Sequence, residues 1–320
     1  METVACNLCG STRSTPVYTM PDRRYPSDER FTVVECDECG LGFVNPRPAF
    51  SEMQRYYPSQ YYEEEFENNP IHHRRRYARE ARYLHDLEKK DGCLRLLDVG
   101  CANGSFPRFM SRRGWDVEGV EVSASTRSIR DFQLYSQPFP EIPVDDPTYD
   151  AVTAWAVLEH VHDPMGYLQK AYRVVKPEGL FVFLVTNFES LASRHLFSED
   201  VPRHLYFFTE STVRKYLEAT GFRLERMHYG RDVYGMPPAN WLPYFLQRRL
   251  RRRNFAYEDL LPSRPEFLRR NGLRPGLLST LKFTACYPAK VLDRALWPVI
   301  ETVQTIWRTY GICTYVARKP

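Results

Sequence analysis

The sequence predicts an α/β fold, a mostly parallel sheet wrapped by helices, with a metal-binding segment ahead of it. Three observations carry this. Apolar strands and amphipathic helices alternate from residue 94 onward. A small-residue turn, "GCANG", follows the first apolar strand directly. Two C-x-x-C pairs lie near the amino terminus, each closed by glycine.

Length and charge set the frame. A chain of 320 residues can bury a full α/β core, and a net charge of +4 is too mild to imply nucleic acid. The first residues lack a basic-then-apolar leader pattern, and no run of eighteen apolar residues occurs. The cytoplasm is the expected compartment.

Of the eight cysteines, Cys6, Cys9, Cys36 and Cys39 form "CNLCG" and "CDECG". In a reducing compartment such pairs favour a metal over a disulfide, and thiolates two residues apart on a tight turn reach one tetrahedral zinc. Gly10 and Gly40 give the turns a permissive backbone. One pair alone would read equally as a redox pair. The 26 residues between the pairs exceed the common ribbon spacing, and four free thiols in a poorly folded arm are the competing reading. Residues 1–48 are thus expected to form a zinc-binding ribbon, closing at "FVNPRP".

Residues 49–91 read as a helical linker or lid with apolar spacing at Tyr77, Ala81 and Leu84; the run Arg74–Arg76 reads as a solvated helix face. His72 and His73 could meet a metal, but four cysteines already fill its shell. From Leu94 the segments alternate. "LRLLDVG" is a buried strand, "SFPRFMSRRG" a short helix, "DVEGVEVS" a strand followed by "ASTRSIRDF", and "YDAVTAWAVLEHV" a strand running into a helix start. "MGYLQKAYRVVKPEG" is a helix, "LFVFLVTN" a strand, "TESTVRKYLEATGF" a helix with Thr209 and Ser211 as candidate caps, and "RLERMHYG" a strand. Sheets of this kind bind ligands at the carboxyl ends of their strands.

The turn itself discriminates between ligands. A dinucleotide fingerprint spaces its glycines G-x-G-x-x-G, whereas Gly100, Ala102 and Gly104 are spaced G-x-A-x-G, with Asp98 at the strand end. That spacing fits a loop around the methionine part of S-adenosylmethionine, with Asp98 on the ammonium. Glu121, seventeen residues after Gly104, ends the second strand where a carboxylate can accept both ribose hydroxyls. A structural strand–turn with a coincidental acid is the competing reading.

"LLDVGCANG", "GVEVS", "YDAVTAWAVLEHVHDP", "VVKPEGLFVFLVTN" and "LEATGF", in that order, resemble the class I S-adenosylmethionine-dependent methyltransferases over residues 92–229, with a last strand at "GICTYVARK" (311–320). The cysteine pairs, "CGLGFVNPRP" and "VPRHLYFFT" resemble the subgroup with an N-terminal zinc module, as in deoxysugar C-methyltransferases and enzymes of polysaccharide and secondary-metabolite pathways. The resemblance implies a Rossmann-like seven-stranded sheet and methyl transfer to a small acceptor such as a sugar, a sugar nucleotide or a secondary metabolite. Gln133–Pro147 is too short to locate the usual adenine-contacting acid, and residues 230–310 form a helical insertion or cap outside the standard fold.

Methyl transfer needs orientation, desolvation and, for an oxygen or carbon acceptor, a base. Glu159 and His160 follow the fourth strand, where the donor methyl is expected; His204 and Tyr206 follow the fifth, at the opposite rim. These four are the candidate catalytic residues, with His160 ranked first. Each histidine could instead shape the pocket without proton transfer, and His162 reads as a surface residue. Trp155 and Ala156 are expected to line the cofactor cleft, although simple core packing also accounts for the tryptophan. The segment 241–253, apolar groups beside five arginines, has the composition of a membrane-surface helix, an anionic-acceptor site or a solvated basic face. A nucleic-acid methyltransferase guided by the zinc module and a non-catalytic binding protein on the same fold remain as alternative functions.

Overall fold

The computed structural model describes residues 1–25, 27–58, 70–89, 92–123, 131–231, 233–234, 240–251, 260–262 and 264–320, without the side chains of 70–74, 250–251 and 265–266. Two sheets organise it. Strands β4 (Arg95–Val99), β5 (Asp116–Val120), β6 (Gln133–Tyr135), β7 (Tyr149–Trp155), β8 (Val175–Thr186), β10 (Arg223–Tyr229) and β11 (Ile312–Arg318) form a seven-stranded sheet in the order β10-β11-β8-β7-β4-β5-β6. β6, β5, β4, β7 and β8 pair in parallel, and β11 runs antiparallel to both β8 and β10. This is the Rossmann-like α/β fold expected from the alternation. β7 and the apolar half of β8 are buried almost throughout, as strands covered on both faces must be.

The chain steps from β4 outward to β5 and β6, then returns to β7 on the other side of β4. A ligand crevice opens at such a switch point, beyond the carboxyl ends of β4, β5 and β7. Around the sheet run α1 (Pro70–Arg82), α2 (Ser105–Ser111), α3 (Pro164–Val174), α4 (Leu191–His195) and α5 (Glu210–Thr220). α5 starts where Thr209 accepts the Thr212 amide and stops at Gly221, whose φ is 90°. "VLEHV" does not begin a helix: residues 158–160 form a turn, and α3 starts at Pro164 behind the Asp163 cap. "ASTRSIR" (124–130) lies outside the described residues.

The second sheet is antiparallel, in the order β1 (Ser14–Pro21), β2 (Arg30–Cys36), β3 (Gly42–Val44), β9 (Tyr206–Phe207). Its fourth strand therefore comes from the far side of the chain, immediately after His204. Gly42 allows that contact: a Cβ there would lie 2.8 Å from Phe188 and 2.9 Å from Phe207. The insertion between β10 and β11 is helical where described: α6 (Trp241–Arg251), α7 (Arg264–Arg270), α8 (Leu277–Cys286) and α9 (Pro288–Ile306). Among the described residues no helix is long and apolar enough to cross a membrane.

Candidate active site and metal centre

The donor loop takes its shape from two left-handed glycines. Gly100 has φ 70° and Gly104 φ 74°, and their amides close the turn on Val120 and Cys101. A Cβ on Gly100 would lie 2.5 Å from Val157, so the loop after β4 rests directly on the loop after β7. Ala102 and Ala156, one on each loop, also have positive φ (51° and 56°). Such strain in non-glycine residues collects at ligand sites. Trp155 is buried against Phe106 and Tyr83, with its indole N–H unpartnered.

Asp98 is 3% exposed and accepts the Thr153 hydroxyl at 2.6 Å. Burial, with Glu80 and Glu121 nearby, holds its carboxyl well above the usual range, against the opposing pull of Arg76. Glu121 is pinned by two amides, from Ala102 at 3.1 Å and Ser123 at 2.9 Å, and burial raises it too. Arg76 does not face solvent as its run of arginines suggested. It turns inward to the fully buried Glu80 at 2.7 Å and lies over the Tyr234 ring. A charge-bearing helix face and a buried ion pair read alike in sequence. Arg75 is exposed, and the side chains of His72, His73 and Arg74 lie outside those described.

The buried acids Asp98 and Glu80, the half-buried Glu121 and Arg76 thus influence one another at the carboxyl end of β4. Burial penalises the charged form of these carboxyls, and a cationic ligand beside them offsets that penalty. S-adenosylmethionine fits, having an ammonium and a sulfonium: Asp98 would take the ammonium, Glu121 the ribose hydroxyls, and the backbone at Gly100–Gly104 the close approach.

Across the crevice, Glu159, His160 and His204 bring ligand atoms within 4.8 Å of one another. The two imidazoles meet edge-on, centroids 4.6 Å apart. His160 Nδ1 is 3.1 Å from both the Arg203 carbonyl and the Tyr57 hydroxyl, and burial beside His204 pushes the ring down to about 3. His204 has the opposite character. Burial would lower it, but Glu199, 2.5 Å from Nδ1, and the charges of Glu159 and Asp200 push it up to about 9. Glu159 is fully buried and neither carboxylate oxygen is in hydrogen-bonding geometry with a partner, the amides of Glu159 and Thr186 lying near; burial pushes it up to about 7.

Tyr206 departs from its expected place at the acceptor rim. It pairs with Phe43 in the antiparallel sheet, and its hydroxyl is taken up by Arg47 at 2.8 Å and the His162 carbonyl at 3.2 Å. Being two residues after His204 in an extended segment put it in the wrong sheet for catalysis. His162 is half-buried rather than on the surface, bonded to the Pro48 carbonyl. Sequence reasoning missed Glu199 and Arg203. Arg203, wholly buried, forks onto Asp22 and Asp200 and donates to the Tyr56 carbonyl. It stood in "VPRHLYFFT", but nothing local pointed to Asp22, 181 residues away.

The four N-terminal cysteines converge as their spacing predicts. Their sulfurs lie within 4.8 Å of one another, with Cys6–Cys39 at 3.4 Å and Cys9–Cys36 at 3.5 Å. A tetrahedral zinc with Zn–S near 2.3 Å spaces its sulfurs about 3.8 Å apart, so the cluster needs little adjustment. Both turns are built alike: the Gly10 amide reaches the Cys6 carbonyl and the Gly40 amide the Cys36 carbonyl. Asn7, inside the first turn, bonds the Asp163 side chain, the Met165 amide and the Tyr216 hydroxyl, docking the cysteine cluster on α3 and α5.

Residues 71–226 match a family model described as a methyltransferase domain. Among curated relatives, the ubiquinone biosynthesis O-methyltransferase of Alkalilimnicola ehrlichii is 34% identical over 103 residues, 29% of this chain and 42% of that protein. The protein of the same name from Vibrio cholerae is 31% identical over 141 residues, 40% of this chain and 56% of its own. The chain thus spans about half the length of these relatives. A SAM-dependent methyltransferase structure from Archaeoglobus fulgidus covers 82% of this chain and 99% of its own, at 19% identity and TM-score 0.47. The stretch that matches the methyltransferase-domain model, residues 71–226, runs from α1 to the sixth strand of the large sheet in chain order.

Proposed function

We propose that the protein transfers a methyl group from S-adenosylmethionine to an oxygen of a small-molecule acceptor. One observation carries the reading: the buried Asp98 and the amide-pinned Glu121 flank a left-handed glycine loop at the switch point of the sheet. The name O-methyltransferase, borne by the relatives, supports oxygen as the methylated atom. A sugar, a sugar nucleotide or a secondary metabolite remains the acceptor class suggested by the N-terminal layout.

The bound donor supplies an activated methyl group on sulfur, so the chain's own residues chiefly hold, orient and exclude water. Asp98 and Glu121 fix the two ends of the donor. His204 is the proton acceptor: its Nδ1 is held by Glu199, which leaves Nε2 for the acceptor hydroxyl. As the acceptor oxygen takes the methyl, its proton passes to His204, and the resulting imidazolium is stabilised by Glu199 and Glu159. This reverses the order expected from sequence, because a ring pushed down to about 3 makes His160 a weak base. His160 instead packs against His204 and keeps it oriented.

We assign one structural zinc to Cys6, Cys9, Cys36 and Cys39. With four thiolates bound it has no open position for substrate, so its role is to hold the antiparallel sheet against α3 and α5.

Titration calorimetry with S-adenosylmethionine and with NADH tests the donor; tight NADH binding with none for S-adenosylmethionine overturns the reading. A labelled-methyl screen of phenols, sugars and sugar nucleotides tests the acceptor, and label appearing only on carbon or nitrogen overturns the oxygen assignment.

A further inference from the structure

We propose that the helical insertion between β10 and β11 docks on the surface of an anionic lipid bilayer through α8 and α9. The arrangement of apolar and charged groups on these helices points to this, independently of the catalytic reading.

α9 is turned inside out. Leu292, Leu296, Val299, Val303 and Ile306 recur at intervals of four and three, which places them on one stripe of the helix, and all five are exposed. The side facing the protein carries Asp293, Trp297 and Gln304 instead. Asp293 is 1% exposed and accepts the Leu242 amide at 2.9 Å, so this side, two polar residues and a tryptophan, packs against α6. On α8, which packs against α9, Leu277 and Leu278 are each 77% exposed, and Trp307, just past α9, is 72% exposed. Single exposed leucines need no explanation, but a contiguous apolar face marks an interaction surface.

Charge selects the occupant. Residues 241–306 hold twelve arginines and lysines against five acids, a net +7 in a chain whose total is +4. The remainder of the chain is therefore net acidic. Arg269, Arg274 and Lys282 are exposed on or just before α8, and Arg294 is exposed on α9 on a different side of the helix from its apolar stripe. Among the residues of 264–306 whose side chains are described, the acids are Asp293, buried, and Glu301, which accepts the Tyr310 hydroxyl. The exposed residues from α8 to Trp307 thus include leucine, isoleucine, valine and tryptophan together with cations, and no acid among the described residues. Apolar groups entering the acyl boundary while cations meet phosphate is the way interfacial helices bind. Two such faces on two copies of this chain would bring like charges together. In the segment 241–253, for which a membrane-surface helix is one of three readings, Phe245 and Leu246 are exposed on α6, and residues 252 and 253 lie outside those described.

The test is flotation of the full chain with vesicles of phosphatidylcholine alone and of phosphatidylcholine mixed with an equal amount of phosphatidylglycerol. Wild-type protein is expected to float with the mixed vesicles and about tenfold less with the neutral ones, and to be released by high salt. Leu277→Ser, Leu278→Ser and Trp307→Ser combined should cut the bound fraction about tenfold with an unchanged unfolding midpoint. Arg269→Glu with Arg274→Glu, both at exposed sites, should do the same for the mixed vesicles. No flotation of the wild type, or flotation unaltered in both variants, overturns the proposal. So does a wild-type protein that ignores vesicles and self-associates in sedimentation velocity while the triple variant stays monomeric.

Discussion

His204 Nδ1 and Glu199 Oε2 stand 2.5 Å apart, behind an imidazole that is 12% exposed while its carboxylate partner is 2% exposed. In the proposed mechanism the accessible member of the pair exchanges protons, and the buried member fixes its ring and its charge. A proton acceptor works only when deprotonated, and His204 is held at about 9. Turnover on a weakly acidic acceptor is therefore expected to rise with pH from 7 through 9. Glu199→Gln removes the charge that raises the ring, so the midpoint should move to lower pH by roughly one unit or more. His204→Ala should cost roughly a hundredfold in kcat. A profile that stays in place in Glu199→Gln would show that the pair is only structural.

Glu121→Ala is expected to weaken donor binding by about 1–3 kcal/mol, the scale of losing hydrogen bonds to a charged group. Calorimetry measures it directly. Undiminished affinity would remove Glu121 from the ribose contact and leave its two backbone amides as its whole purpose.

Protein purified without added metal should contain one zinc per chain by elemental analysis. Cys36→Ser with Cys39→Ser should lose it, because two remaining thiolates cannot complete the tetrahedral shell. Zinc retained in that double variant would defeat the four-cysteine site.

Arg203→Ala should destabilise the protein by about 3–5 kcal/mol in urea unfolding, since it leaves the buried Asp22 without its cation. Arg203→Lys restores the charge but not the fork, and should fall between. Wild-type stability in Arg203→Ala would mean that Asp22 is rehydrated at no cost.

What the sequence disclosed and what it hid divide along a physical line. The sheet, the glycine loop and the cysteine cluster were legible because each is a local pattern: an apolar run, a left-handed turn, thiols two residues apart. Asp98 and Glu121 were legible because they end strands whose order the alternation dictates. Arg203, Glu199 and Glu80 were not, because what defines them is a partner or a burial state that arises only when distant segments pack. Tyr206 misled for the same reason. Its neighbour His204 lies in the candidate site with Glu159 and His160, but Tyr206 pairs with Phe43 in the amino-terminal sheet. The inside-out face of α9 was hidden too, because an amphipathic pattern reports that a helix has two faces and not which one turns inward.

The short strand β9 ties the amino-terminal segment to the catalytic half of the chain. Tyr206 and Phe207 find their ladder partners in Phe43 and Gly42, and the Leu205 carbonyl is met by the Val44 amide. A chain trimmed to begin at residue 49 would bare that edge two residues from His204, together with the aromatic faces that now rest on Phe43. Bared edges of this kind recruit other chains. Trimming would therefore yield an aggregating protein with a displaced histidine rather than a smaller working catalyst, and grafting the cysteine segment elsewhere would require carrying β9 along with it.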